Sequence, residues 1–130
     1  MSDALDKFGM VVVETMFDRS VDNYLLLREG RLKAKSELHL QNEFSKLSAE
    51  TISLVDAVVL RLLTGAVHDI LFAVQDAHDR GLGLELRVDG VDVVKESGML
   101  HGECVGETGW IARFSRHPVF GKLDADAVTK

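Results

Sequence analysis

Between Ile52 and Val74 apolar residues return every three or four positions, and no proline interrupts them. Ile52, Val55, Val59, Leu62, Leu63, Ala66, Ile70, Leu71 and Val74 all follow that spacing, which lines apolar side chains along one side of a helix. Ser48 stands as an N-cap, and Glu50 supplies a negative charge to the first turn. Arg80 and Gly81 supply a cation and a stop at the far end. The spacing therefore predicts a helix over 49–80. A straight helix of that length spans about 48 Å, whereas a compact domain of 130 residues is only about 35 Å across. Two solutions satisfy this mismatch. The helix breaks near Thr64 and Gly65, where helix propensity is weakest, or it projects and pairs in a dimer. The break is the expectation, and a homodimer stays open beside it.

The rest of the chain divides on the same grounds. Ser2 is a plausible N-cap for an amphipathic helix over about 2–29, with Leu5, Phe8, Val12, Val13, Phe17, Val21 and Leu25 on its apolar side and Gly30 as its stop. A shorter helix is predicted over 36–47, with Leu40, Phe44 and Leu47 inward. In LELRVDGVDVVK, Asp89-Gly90 is a two-residue hairpin turn, because both positions accept positive φ. That turn sets Val88 opposite Val91, Arg87 opposite Asp92, Leu86 opposite Val93 and Leu84 opposite Lys95. Arg87 and Asp92 are then expected to form a cross-strand charge pair. Further strands are predicted near His101–Val105 and over Trp110–Ser115. The fold class expected is α+β: N-terminal helices packed on a short C-terminal antiparallel sheet, in a single domain of residues 1–130. Residues 117–130, where the pattern fades, are expected to be a mobile tail.

Charge and cysteine content narrow the function classes. The net charge is −6, and residues 81–112 hold six acids against Arg87 and Lys95. Such a chain repels phosphate backbones, so no nucleic-acid partner is expected. Residues 31–47 are weakly basic. Cys104 is the only cysteine, which fits a cytoplasmic protein without disulfides. Asp3 and Asp6 stand where a secretory leader would be cationic, and uninterrupted apolar runs are short, so no leader and no membrane insertion are expected.

No motif names a reaction. His101-Gly-Glu103-Cys104 begins like the zinc-deaminase signature but lacks its second cysteine pair. On a strand, His101 and Cys104 would also face opposite sides. The stretch HDILFAVQDAHDR holds His68, Asp69, Asp76, His78 and Asp79, yet no helical zinc motif appears, and no metal and no cofactor are expected. Asp76 and Arg80 form an i,i+4 pair of a solvated face. His68 sits among apolar residues beside Gly65, which suggests a half-buried histidine or, alternatively, a ligand contact. Trp110 reads as core, or as an interface anchor with Glu103, Glu107 and Arg113 around it.

Four blocks carry a resemblance: DKFG at Asp6–Gly9, HDILFAVQD at His68–Asp76, VDGVDVVKESG at Val88–Gly98 and HGECVGETGWIARFS at His101–Ser115. In this order the chain resembles a group of small uncharacterised bacterial proteins. The resemblance covers roughly residues 5–115 and implies an intracellular bacterial origin. It carries no catalytic residue. In its size and acidity the chain is also similar in character to toxin immunity proteins, an analogy of type rather than of motif.

Two functions follow as expectations. The first is a protein-binding module, immunity- or adaptor-like, docking a protein partner through Trp110, Glu103, Glu107, Arg113 and His68 by charge complementarity. The alternative is a small-ligand-binding or enzyme domain, with a site near His68, His101 and Glu103 between helices and sheet.

Overall fold

A computed structural model describes residues 3–117. The protein is mostly helical, with one two-stranded antiparallel hairpin. Helices α1 (Asp3–Val12) and α2 (Arg19–Arg28) are joined through a π-helical segment, Val13–Asp18, into one continuous rod. After a short connector come α3 (Lys35–Ser45) and α4 (Ala49–Asp79). Strands β1 (Arg87–Val88) and β2 (Val91–Asp92) form the hairpin. It runs directly into α5 (Val93–Ser97), a 3₁₀ turn (Leu100–Gly102) and α6 (Trp110–Phe114). Of the tail expected over 117–130, residues 118–130 lie outside the described residues, and His117, its first residue, is buried.

Both long helical units stop where the sequence places their glycines. Gly30 and Gly81 take φ of 68° and 71°. Each closes the same C-terminal motif: Arg31 N–H and Leu82 N–H reach back to the carbonyls of Leu26 and Ala77. At the start of α4, Ser48 Oγ accepts from Thr51 N–H at 3.2 Å. The expected break near Gly65 is absent, and α4 runs unbroken for 31 residues. One glycine costs only about 1 kcal/mol in a helix, and the apolar contacts on both sides of it outweigh that. Val67 and Leu71 follow it into the core, and Leu60 precedes it there.

α4 packs against α2 at one end, the π segment in its middle, and α5 and the 3₁₀ turn at the other end. Polar side chains fix these contacts. Tyr24 donates to Asp56, and Arg28 Nη1 pairs with the same carboxylate at 2.9 Å. Burial first, and then the Asp56 carboxylate, push the Tyr24 phenol up, so it stays a donor. Gln75 accepts from Leu100 N–H at 2.8 Å in the buried interior. In α3 the expected inward set is corrected. Phe44 is buried, but Leu40 and Leu47 are exposed. Gln41 takes the inward place instead, and its amide bonds both backbone groups of Leu32. The side-chain amide satisfies the connector backbone, which an apolar residue there would leave without partners.

The hairpin has the predicted turn, with positive φ at Asp89 and Gly90, and the predicted pairs Val88–Val91 and Arg87–Asp92. One further bond, Val93 N–H to Leu86 carbonyl at 2.9 Å, extends the ladder. The strand does not continue to Lys95. Asp92 turns its carboxylate onto Val94 and Lys95 N–H and caps α5. Burial opposes that charge, but the cap hydrogen bonds and His78 outweigh it and hold the carboxyl below its usual range. Capping also removes the predicted charge pair: Arg87 bonds Glu85 and the Gly90 carbonyl instead.

The two further strands are corrected as well. His101 and Gly102 belong to the 3₁₀ turn, 103–105 continue as turn and bend, and Trp110–Phe114 is a helix. Trp110 and Ile111 are both buried and Phe114 half-buried, a helical rather than an alternating pattern. Trp110 N–H and Ile111 N–H bond the carbonyls of Glu103 and Cys104 across the loop. The sheet is therefore limited to the two-stranded hairpin, whose first strand contacts α1 and whose Leu86 and Val88 pack against the core. The helices pack on one another and on this C-terminal block around one apolar core.

Candidate functional site

An amphipathic helix in a small domain should hide its apolar side, yet α4 does not. Leu54 and Leu62 are each 66 % exposed, Val58 47 % and Phe72 50 %. These residues recur at helical spacing on the side of α4 turned away from Leu60, Val67, Leu71 and Gln75, which are buried. The helix is apolar on two sides and covered on one. By length and composition it could cross a membrane, with 17 % of its most apolar stretch buried inside the protein. Its covered side carries Asp56 and Gln75, both engaged in hydrogen bonds to neighbouring elements.

Beside the exposed stripe runs an open groove of about 690 Å³, between α4 and the loop carrying Val105. Ala57, Arg61, Thr64, Gly65 and His68 form its floor. Arg61 is exposed and, among the described residues, has no hydrogen bond or ion pair. At one end of the groove His68, Phe72 and His101 form an aromatic cluster. The His101 ring meets His68 at 5.2 Å and Phe72 at 5.1 Å, edge to face. His101 Nδ1 is buried there without a hydrogen-bond partner among the described residues.

The residues singled out from the sequence scatter around this arrangement. His68 and His101 do come together. Glu103 does not join them: its carboxylate accepts from Ser97 Oγ at 3.0 Å. Glu107 is exposed on the loop. Arg113 bonds the Thr108 carbonyl and pairs with Asp6 at 3.0 Å, which holds α6 to α1. Trp110 is fully buried, its ring edge-to-face with Phe8 at 5.9 Å. It is a core residue, so the acidic loop has no exposed aromatic anchor. The exposed side of α4 was the signal that periodicity alone passed over. Leu54, Val58 and Phe72 stand outside the core stripe, yet are apolar and helically spaced.

Nucleophilic chemistry at Cys104 is not assembled. The thiol is fully buried and donates to the His101 carbonyl at 3.5 Å, not to its imidazole. Burial pushes the thiol pKa up, against the thiolate that reactivity needs. Cys104 is expected to remain unmodified by a thiol-reactive disulfide reagent in the folded protein. It should react fully once denaturant is added, which an absorbance titration reads directly. No group of three metal-ligating side chains occurs among the described residues.

Comparison with protein-family models, with curated proteins and with solved structures gave no match, so the chain's function is read from its own surface.

Proposed function

We propose that the chain is a protein-binding module whose docking face is the exposed side of α4. The observation that carries this reading is the run of large apolar residues, Leu54, Val58, Leu62 and Phe72, left open to solvent along one helix. Contiguous exposed apolar surface on a small protein marks an interaction site. Helical anchors at this spacing fit a partner's groove or another helix. Arg61 and Asp69, both exposed within the stripe, give the face charges that fix register. The acidic loop around Glu103 and Glu107 is secondary in this reading, because Trp110 beneath it is core.

The test is a photoreactive amino acid placed at Leu62 in the living host. Ultraviolet light is expected to yield one discrete adduct, and the same probe at exposed Leu82, beyond the end of α4, is expected to yield none. No adduct from position 62, or equal labelling from both positions, would contradict the reading. The small-ligand alternative has its own supporting observation in the His68–Phe72–His101 cluster at the end of the groove. A ligand seated there would shift the imidazole NMR resonances of both histidines while leaving the adduct at Leu62 unchanged.

A further inference from the structure

The exposed stripe of α4 has the same character in both directions from Gly65. Four residues away stand Arg61 on one side and Asp69 on the other, an exposed cation and an exposed anion. Seven residues away stand Val58 and Phe72, both apolar and about half exposed. In an antiparallel helix pair, a two-fold axis crossing the helices at Gly65 superposes such a stripe on itself. Arg61 and Asp69 each lie about 6 Å along the helix axis from Gly65, so the axis brings each level with the other in the second copy. We propose that the occupant of this face is a second copy of this chain, docked antiparallel α4 to α4, with Arg61 of each protomer against the partner's Asp69.

This inference rests on reading α4 as a docking face and names what docks there. Three further observations favour a second copy over another occupant. Arg61 has no hydrogen bond or ion pair among the described residues. Among the described residues Asp69 bonds only the adjacent His68, at 3.0 Å, and it keeps 82 % of its side chain exposed. Both charges are thus available to a partner, and one surface carries both signs at equal and opposite distances from its centre. Second, a Cβ built on Gly65 meets nothing within 4 Å. The bare backbone at the crossing point lets two helices approach toward the roughly 8 Å limit of close packing. Third, Gly65 lies within one residue of the middle of the helix Ala49–Asp79. Crossing there covers the apolar surface on both arms, which a helix about 46 Å long cannot bury against its own 130-residue chain. A bilayer fits this face less well, because the same two charges would sit near mid-depth, where they cost most.

The test uses light scattering on the full chain and two charge reversals, Arg61→Asp and Asp69→Arg. The wild type is expected to have twice the chain mass. Each variant alone places like charges across both contacts and is expected to weaken the dimer at least ~10-fold. An equimolar mixture of the two variants is expected to regain the dimer, because both contacts in the mixed pair again join opposite charges. The double variant Arg61→Asp/Asp69→Arg should also dimerise, which separates a lost contact from a lost fold. A wild type that stays monomeric, single variants that dimerise as tightly as wild type, or a mixture that stays monomeric would overturn the proposal. A monomeric wild type whose Leu62 probe still captures a different protein would overturn this proposal alone. A monomer with no adduct would overturn the docking face as well.

Discussion

Trp110→Ala is expected to lower stability by about 3–5 kcal/mol, the range for removing a large buried aromatic, and to drop the melting temperature by on the order of 10–20 °C. The reason lies across the core, in α1. Gly9 is buried, and a Cβ added there would stand 2.4–2.5 Å from three atoms of the Trp110 indole. The indole edge therefore lies directly on the α1 backbone, with Phe8 edge-on beside it. Gly9→Ala gains helix propensity but collides with that ring. It is expected to destabilise by about 1–3 kcal/mol, as overpacked cores do. The two changes should not add. With the indole removed, the methyl at position 9 has room, so the double variant should be less destabilised than the sum of the singles. Denaturant titration of the four proteins measures this coupling. Strict additivity would mean that Gly9 is not shaped by the ring.

The second large effect is expected at Asp18. Its side chain is fully buried at the end of the π segment. It accepts from Ser115 Oγ at 2.5 Å and from Arg116 N–H at 2.9 Å. One turn on, Asp22 pairs with Arg116 and bonds His117 Nε2 at 2.8 Å. The wider π turn explains how one helix can bury Val13, Phe17 and Asp18 together, and then Val21 and Asp22. Val13, Phe17 and Val21 serve the core, whereas the carboxylates of Asp18 and Asp22 hold the segment after α6. Asp18→Ala leaves two donors without their acceptor and is expected to cost about 3–5 kcal/mol, as when one partner of a buried polar pair is removed. Asp18→Asn keeps an acceptor oxygen and should cost less. Denaturation gives the magnitude, and tryptic cleavage after Arg116 gives the location. Faster cleavage in Asp18→Ala, with the rest of the chain still protected, is the expected pattern.

Where local chemistry decides, the sequence was legible. Ser48 and Gly81 bracket α4 almost to the residue, and Gly30 ends α2, because caps and stops act within one turn. Asp89-Gly90 set both the turn and the register. Legibility failed where distant partners decide. Nothing within 110–115 distinguishes Trp110, Ala112 and Phe114 alternating on a strand from Trp110, Ile111 and Phe114 on a helix. The choice comes from the carbonyls of Glu103 and Cys104, which take the amides of Trp110 and Ile111. Asp92 is a second case: as a strand residue it should face Arg87, but the chance to cap α5 turns it away. Gly9 was readable in principle, since a glycine inside an apolar helical pattern signals close approach by another group. Gly65 gave the opposite signal, as a weak point that the packed side of α4 overrides. At the candidate site, His68 and His101 were both singled out and do meet. The wider face was only half legible. The mismatch in length left a dimer open beside the expected break at Gly65, but Leu54, Val58 and Phe72 were not part of the predicted stripe. Which side lies open emerges only from the packing of α2, α5 and the 3₁₀ turn.

The most direct measurement of how the α4 face is used is disulfide formation at engineered thiols. Cys104 is the only native cysteine and is buried, so a single introduced cysteine reports its own surroundings. Gly65→Cys places a thiol on the proposed two-fold axis, and its Cβ has open space. Leu54→Cys places one at a more exposed position, but its counterpart in the second copy is about 33 Å away along paired helices. Under mild oxidation, Gly65→Cys is expected to run as a covalent dimer on a non-reducing gel while Leu54→Cys stays monomeric. Equal crosslinking at both positions, or none at position 65, would contradict the antiparallel pairing of α4.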